Sequence, residues 1–287
     1  MTVRTLALRL ERVSLNVADL GAATRFYVDA LGFEATPALD ADSVLADLLG
    51  VRSLRVVLLR RGQQKLDLVQ CDPPGAAYPG DSSSDDLWFQ HCALVADDIR
   101  VAYDRLARFR YTPISRNGPQ ALPGGITAFK FRDPDGHPLE MIQFPRPNFR
   151  TRGGIDHSAI SVADPERSIA FYAARLGLSV QARQINRGSA QDALDDLESV
   201  AVDVIALVPE RPSPHVELLG YRRPRGRALP ISHPSDIAAS RLVFSTVALD
   251  SGDGTVKFAD GTTACLIHDP DGHAVLLEQR NGREAFE

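Results

Sequence analysis

Asp133-Pro-Asp-Gly-His137 is followed at once by Pro138-Leu-Glu140-Met-Ile, and Asp269-Pro-Asp-Gly-His273 by Ala274-Val-Leu276-Leu-Glu. In each copy the Asp, Pro and Gly residues sit between two strand-like runs. The first copy lies between Thr127–Arg132 and Pro138–Phe144, so it reads as a hairpin turn. Upstream, Gly125-Ile-Thr127-Ala128 answers Gly261-Thr-Thr263-Ala264 at the same offset. A second set of matches links the starts of the two halves. Arg12-Val-Ser-Leu-Asn-Val17-Ala-Asp19 corresponds to His157-Ser-Ala-Ile-Ser-Val162-Ala-Asp164, Phe26-Tyr27 to Phe171-Tyr172, and Leu31-Gly32-Phe33 to Leu176-Gly177-Leu178. Several matches in order and at constant offset imply a duplicated unit of roughly 140 residues.

Each half divides again. Apolar and polar residues alternate from Arg12 to Val17, as in a half-buried strand. Asp19 then caps a helix carrying Ala22, Phe26, Tyr27 and Ala30, which Gly32 ends. Strand-like runs follow at Leu54–Leu59 and Lys65–Gln70. The order restarts at Gln90–Val95, with a helix from about Asp98 to Arg108. The chain therefore reads as four βαβββ modules in two domains. Domain 1 is 1–147, with modules 10–72 and 89–145; domain 2 is 153–287, with modules 155–222 and 240–280. The last module is truncated where its helix should be. Pro73–Asp86 reads as a loop and Pro145–Gly154 as the linker between halves.

The composition agrees with this reading. The 287 residues are 44% hydrophobic and 24% charged, as in ordinary globular proteins, and a prior of about 150 residues per domain gives two domains. The net charge of −5 argues against a nucleic-acid partner. No apolar run is long enough for a membrane span, and Met1–Val13 lacks the apolar stretch of a signal peptide. A cytoplasmic protein is expected. Cys71, Cys92 and Cys265 are too scattered for a disulfide framework or a thiolate zinc site, so any metal must be held by His and carboxylate.

The paired modules, the strand–Asp–helix opening and Asp-Pro-Asp-Gly-His-Pro-Leu-Glu resemble the vicinal oxygen chelate superfamily. That group includes glyoxalase I, the bleomycin and fosfomycin resistance proteins, methylmalonyl-CoA epimerase and the extradiol dioxygenases. The resemblance implies an α+β fold in which the modules form two cup-shaped mixed sheets with helices outside. It places metal ligands on the first and last strands of each module. The first-strand position is Arg12, His91, His157 and Arg241 in the four modules; the last-strand position is Asp67, Glu140, Glu217 and Leu276. Modules two and three each supply a His and a Glu. Independently, Glu140 and Glu217 lie in apolar strands, where an inward carboxylate is costly unless paired or bound to a cation. Imidazole with carboxylate suits one divalent ion such as Zn, Ni, Fe, Co or Mn.

Module pairing decides which site forms. Pairing within each half separates the two His/Glu pairs. Pairing two with three unites His91, Glu140, His157 and Glu217, a set that resembles the site of bacterial glyoxalase I, and leaves modules one and four without a metal. The second arrangement explains where the four ligands fall. In the first reading the protein is a glyoxalase-like lyase or isomerase acting on vicinal oxygens of a small molecule through a metal-stabilised enediolate, with Glu140 or Glu217 as base. The alternatives are an extradiol-type dioxygenase and a non-catalytic small-molecule binding or resistance protein. Arg116, Arg222 and Arg223 are candidate substrate-binding cations. The basic loop Tyr221–Arg227 reads either as a solvated turn or as a clamp. His137 and His273 read as structural, and His215 has no assigned role. Asp67 is expected to partner Arg12, and Glu278 to partner Arg241. A small-molecule substrate is expected, with no nucleic-acid or membrane partner, and a homodimer is compatible with the family.

Overall fold

The computed structural model describes residues 7–145, 154–211, 214–228, 233–249 and 254–279. Most of the linker anticipated at 145–154 lies outside them. The chain forms two nine-stranded mixed sheets. One sheet holds the outer modules, one and four. Its centre is Ala7–Asn16 against Arg241–Thr246, antiparallel. The other holds modules two and three, centred on Gln90–Val95 against Ile155–Ser161, also antiparallel. Within each module the first strand runs parallel to the last: Ala7–Asn16 with Gln64–Asp72, Gln90–Val95 with Pro138–Gln143, Ile155–Ser161 with His215–Arg223, and Arg241–Thr246 with Ala274–Gln279. The four modules and two cups are as expected. Each sheet, however, takes one module from each sequence half.

Three helices follow the first strands: Leu20–Asp29, Ile99–Leu106 and Pro165–Leu176. Each begins at the anticipated aspartate. The carboxylates of Asp19, Asp98 and Asp164 accept backbone N–H groups of the first turn, satisfying donors that a helix start leaves unpaired. Pro165 at the first position and left-handed Gly177 after the last fix the ends of the third helix. Module four has no helix among the described residues between Arg241–Thr246 and Thr263–His268. The three helices and one face of each sheet share a continuous apolar core that includes Phe26, Tyr27, Ile99, Tyr172, Leu94, Ile160 and Phe244.

The opposite faces form the cups, and each is roofed by a short helix that periodicity does not announce. Ser43–Leu48 packs Ala46 over Leu54, Val69 and Cys71 in the outer cup. Ser189–Asp195 packs Leu194 onto Ala93, Ala128 and Ile142 in the inner cup. Burying a leucine of this kind is worth roughly 1.5–3 kcal/mol.

The Asp-Pro-Asp-Gly-His turns clasp the two sheets together. Asp133 accepts a hydrogen bond from Tyr27 Oη (3.0 Å) and pairs with His137 Nδ1 (2.9 Å), while His137 Nε2 reaches the Ile237 carbonyl (3.2 Å). The second turn repeats this with Tyr172 on Asp269 (3.2 Å) and His273 Nε2 on the Ser161 carbonyl (2.8 Å). His137 and His273 are therefore structural, as expected.

Candidate metal centre

Strand pleating sends His91 and Ala93 to one face, and the register places Glu140 beside Ala93, His157 opposite Ala93, and Glu217 beside Ala159 on that same face. The alanines leave room above the sheet. His91 Nε2 lies 3.0 Å from Glu140 Oε2. His157 Nε2 stands 3.6 Å from the same oxygen and 3.5 Å from Glu217 Oε2. One ligand atom each from His91, Glu140 and His157 falls within a mutual 4.8 Å. Glu217 stands at the edge of this trio, its Oε1 turned to His215 Nε2 at 3.3 Å. His91, Glu140 and His157 are buried, while the Glu217 side chain keeps 20% of its surface exposed.

Two further side chains complete the centre. The strand slips register between Ile155 and His157, and such a bulge re-aims a side chain. Asp156 accordingly meets His157 Nδ1 at 3.0 Å. The ring of His215 lies 5.2 Å from that of His157. Strand alternation carries the signal for His215, since it stands two residues before Glu217 and so shares its face. The bulge that turns Asp156 inward has no counterpart in the apolar pattern.

Electrostatics separates the groups. Burial, then the nearby charge of Lys130, holds His91 below its ordinary value, leaving neutral imidazole. Burial opposes protonation of His157, but Glu217, Asp156 and Glu140 outweigh it and raise its value. Burial likewise opposes ionisation of Glu140 and Glu217; the neighbouring histidines prevail and hold both carboxyls well below the usual range. Lys130, beside Glu140 in the register, is tied to the buried Asp195 at 2.7 Å.

The donor set fits a divalent cation. His157 Nε2 is buried without a hydrogen-bond partner, facing two carboxylate oxygens. Ligand atoms bound at roughly 2.0–2.2 Å to one ion lie about 3.0–3.5 Å apart, the spacing found here. Asp156 fixes the other ring nitrogen, as carboxylates do for metal-binding histidines.

The arginines anticipated as substrate ligands do not join this centre. Arg116 binds the carbonyls of Asp192 and Leu197 and pairs with Asp196 at 3.3 Å, anchoring the end of the roofing helix. Arg222 is held by both carboxylate oxygens of Asp203 at 2.6 and 2.8 Å, on the strand face opposite Glu217. Arg223 is exposed, and six strand residues put it about 20 Å along the strand from Glu217. In the basic loop Tyr221–Arg227 the arginines are exposed, as in a solvated turn, and Arg227 also pairs with Asp81 and Asp86 and covers Trp88, joining the loops that cross between the sheets.

At the matching strand positions the outer cup carries Arg12, Asp67, Arg241 and Leu276 instead. Arg12 pairs with Asp67, as expected, but it also takes Glu278 (2.6 and 3.0 Å), the residue expected to partner Arg241. The guanidinium of Arg12 reaches both carboxylates, whereas Arg241 extends toward Ser14 and Asn16.

Residues 9–141 match the model of the Glyoxalase/Bleomycin resistance protein/Dioxygenase superfamily. The chain carries a domain of this superfamily. Solved structures extend the likeness in fold to nearly the whole chain. The V278E mutant of glyoxalase I from Zea mays is 18% identical, covering 94% of this chain and 92% of that one at a TM-score of 0.67. Glyoxalase I from Zea mays without that change gives 17%, 94%, 92% and 0.64. A candidate dioxygenase from Bacillus subtilis gives 12%, 98%, 88% and 0.58. No curated protein sequence matches. At these identities the superfamily's fold is shared and the reaction is left to the site.

Proposed function

We propose that the inner cup is a catalytic centre holding one divalent metal ion through His91, Glu140 and His157, with Glu217 as fourth ligand or base. The supporting observation is His157 Nε2, buried and unbonded between the carboxylates of Glu140 and Glu217. In this reading the protein is a glyoxalase-like lyase or isomerase that moves a proton on a carbon next to a carbonyl. A bound divalent ion there supplies Lewis acidity to two neighbouring substrate oxygens.

The residues divide the remaining work. Glu217 is the more exposed carboxylate and is ionised at neutral pH; it takes the proton from the substrate carbon and returns it to the neighbouring one. His215 holds the second oxygen of Glu217 and so orients the first. Leu194 of the roofing helix covers Ala93 beside the cluster, and Lys130 places a fixed positive charge near the two glutamates.

A second reading has a specific observation in its favour. His91, His157 and Glu140 each bring a ligand atom within 4.8 Å of the others, and two histidines with one carboxylate is the donor set of non-haem iron oxygenases. Pairing modules two and three puts histidine at both first-strand positions, which such a site needs.

Glu217→Gln separates the readings. The variant is assayed with the thiohemiacetal of an oxoaldehyde, following exchange of the transferred proton with deuterated solvent. The lyase reading expects exchange in the unchanged protein and a loss of at least ~100-fold in the variant, the worth of a general base. No exchange with any oxoaldehyde adduct, together with oxygen uptake on catechols after anaerobic iron loading, would replace it with the oxygenase reading.

A further inference from the structure

Two open cavities of about 250 and 390 Å³ share Arg241 in their linings, the smaller in the outer cup and the larger at the end of that cup against Trp88 and Ala238. Arg241 is only 2% exposed. Its hydrogen bonds go to the carbonyls of Pro234 and Ala239, to Ser14 Oγ and to Asn16 Oδ1. Every one of these acceptors is neutral, and Nε–H takes part in none of the bonds. Burial pulls the guanidinium down to about 10, so it is charged at neutral pH. The attraction of Asp67 is countered by the repulsion of Arg12, which already holds two carboxylates. A buried cation with neutral partners and a spare donor is electrostatically incomplete.

The larger cavity supplies the rest of a site. Trp88, Leu266 and Ala238 give it an apolar wall, and its volume is in the range of small-molecule sites. It also opens where the other half of the molecule is filled. Tyr78 packs on the turn at Gly136, 2.8 Å from where a Cβ would stand, and against the ring of His137. At the matching turn no atom lies within 4 Å of a Cβ built on Gly272, and Gly272 lines the cavity.

We propose that the outer cup binds a small organic monocarboxylate, its carboxylate on Arg241 and its apolar body against Trp88 and Leu266. Arg241 has no carboxylate among its hydrogen-bond partners, so a single carboxylate suits it, and Asp271 on the cavity wall disfavours a second charge. The site is independent of the metal centre in the inner cup.

The probes are phenylacetate and its uncharged counterpart phenylacetamide, titrated calorimetrically into the intact chain. Phenylacetate should bind saturably, and equally after chelator treatment. The amide should bind at least about tenfold more weakly, the usual worth of a charge-assisted hydrogen bond. Arg241→Met should abolish the preference for the acid. Ala274→Leu, which narrows the cavity and leaves Arg241 in place, should weaken the acid as well and decides the matter if Arg241→Met does not fold. Absence of saturable phenylacetate binding, equal binding of the amide, dependence on metal, or undiminished binding by a folded variant would overturn the proposal.

Discussion

Asp156 leaves His157 only one ring nitrogen with which to face Glu140 and Glu217, because its carboxylate occupies the other at 3.0 Å. Losing that constraint lets the ring turn and weakens its donor strength. Asp156→Asn should therefore lower metal affinity by about 10–100-fold, the usual effect of removing such a partner, while the far-ultraviolet circular dichroism stays unchanged. Competition with a chromophoric chelator measures it, and unaltered affinity would remove Asp156 from the centre. The candidate ligands His91, Glu140, His157 and Glu217 are legible in the sequence through the family resemblance, with the cost of an inward carboxylate in an apolar strand supporting the two glutamates. Asp156 is not, because a bulge rather than an alternation turns it inward. Arg116 and Arg222 mislead for a physical reason as well. An arginine in a loop or at a strand end offers five donors to any nearby carbonyl or carboxylate, and here the protein's own groups take them.

The Asp-Pro-Asp-Gly-His turn joins elements that lie far apart in sequence, and its pH response follows from its buried pair. Burial acts to lower His137, but Asp133 and Asp135 more than offset it, so its folded value is raised. Its contribution is complete below about pH 6.5, the unfolded value, and is lost as pH rises through the raised one. Asp133 shifts the other way: burial is outweighed by His137, backbone N–H groups and Tyr27. Its contribution is present above about pH 3.9 and is lost as pH falls through the lowered folded value. The gap in urea midpoint between the unchanged protein and His137→Asn should thus be widest near pH ~5.5 and should shrink toward pH ~9. A gap that is flat or widens with pH contradicts the pairing. Helix starts are legible from Asp19, Asp98 and Asp164, and most strands from alternation. Ser179–Arg187 is not, since it is an edge strand whose residues are almost all exposed and carry no apolar period. Ser43–Leu48 and Ser189–Asp195 span only two turns, too short for a periodicity to register.

Duplication in the sequence runs half by half, while the sheets join the outer modules to each other and the inner ones to each other. Separate fragments 1–147 and 153–287 would each lose the central antiparallel pairing of both sheets and expose long strand edges. Neither should give a monomer with a cooperative unfolding transition, and mixing them should restore one. Two independently folded monomeric halves would contradict this arrangement. The same arrangement separates a cup rich in metal donors from one built around Arg12 and Arg241, a division legible in the sequence from the modules in which the two His/Glu pairs fall. Among the described residues no helix is long and apolar enough to cross a membrane.

The most direct test is metal stoichiometry, read by elemental analysis on protein purified without chelator. One divalent ion per chain is predicted, lost in His91→Ala and in His157→Ala and retained in Asp67→Asn. No bound metal, two ions per chain, or loss of the ion in Asp67→Asn would contradict a single centre in the inner cup.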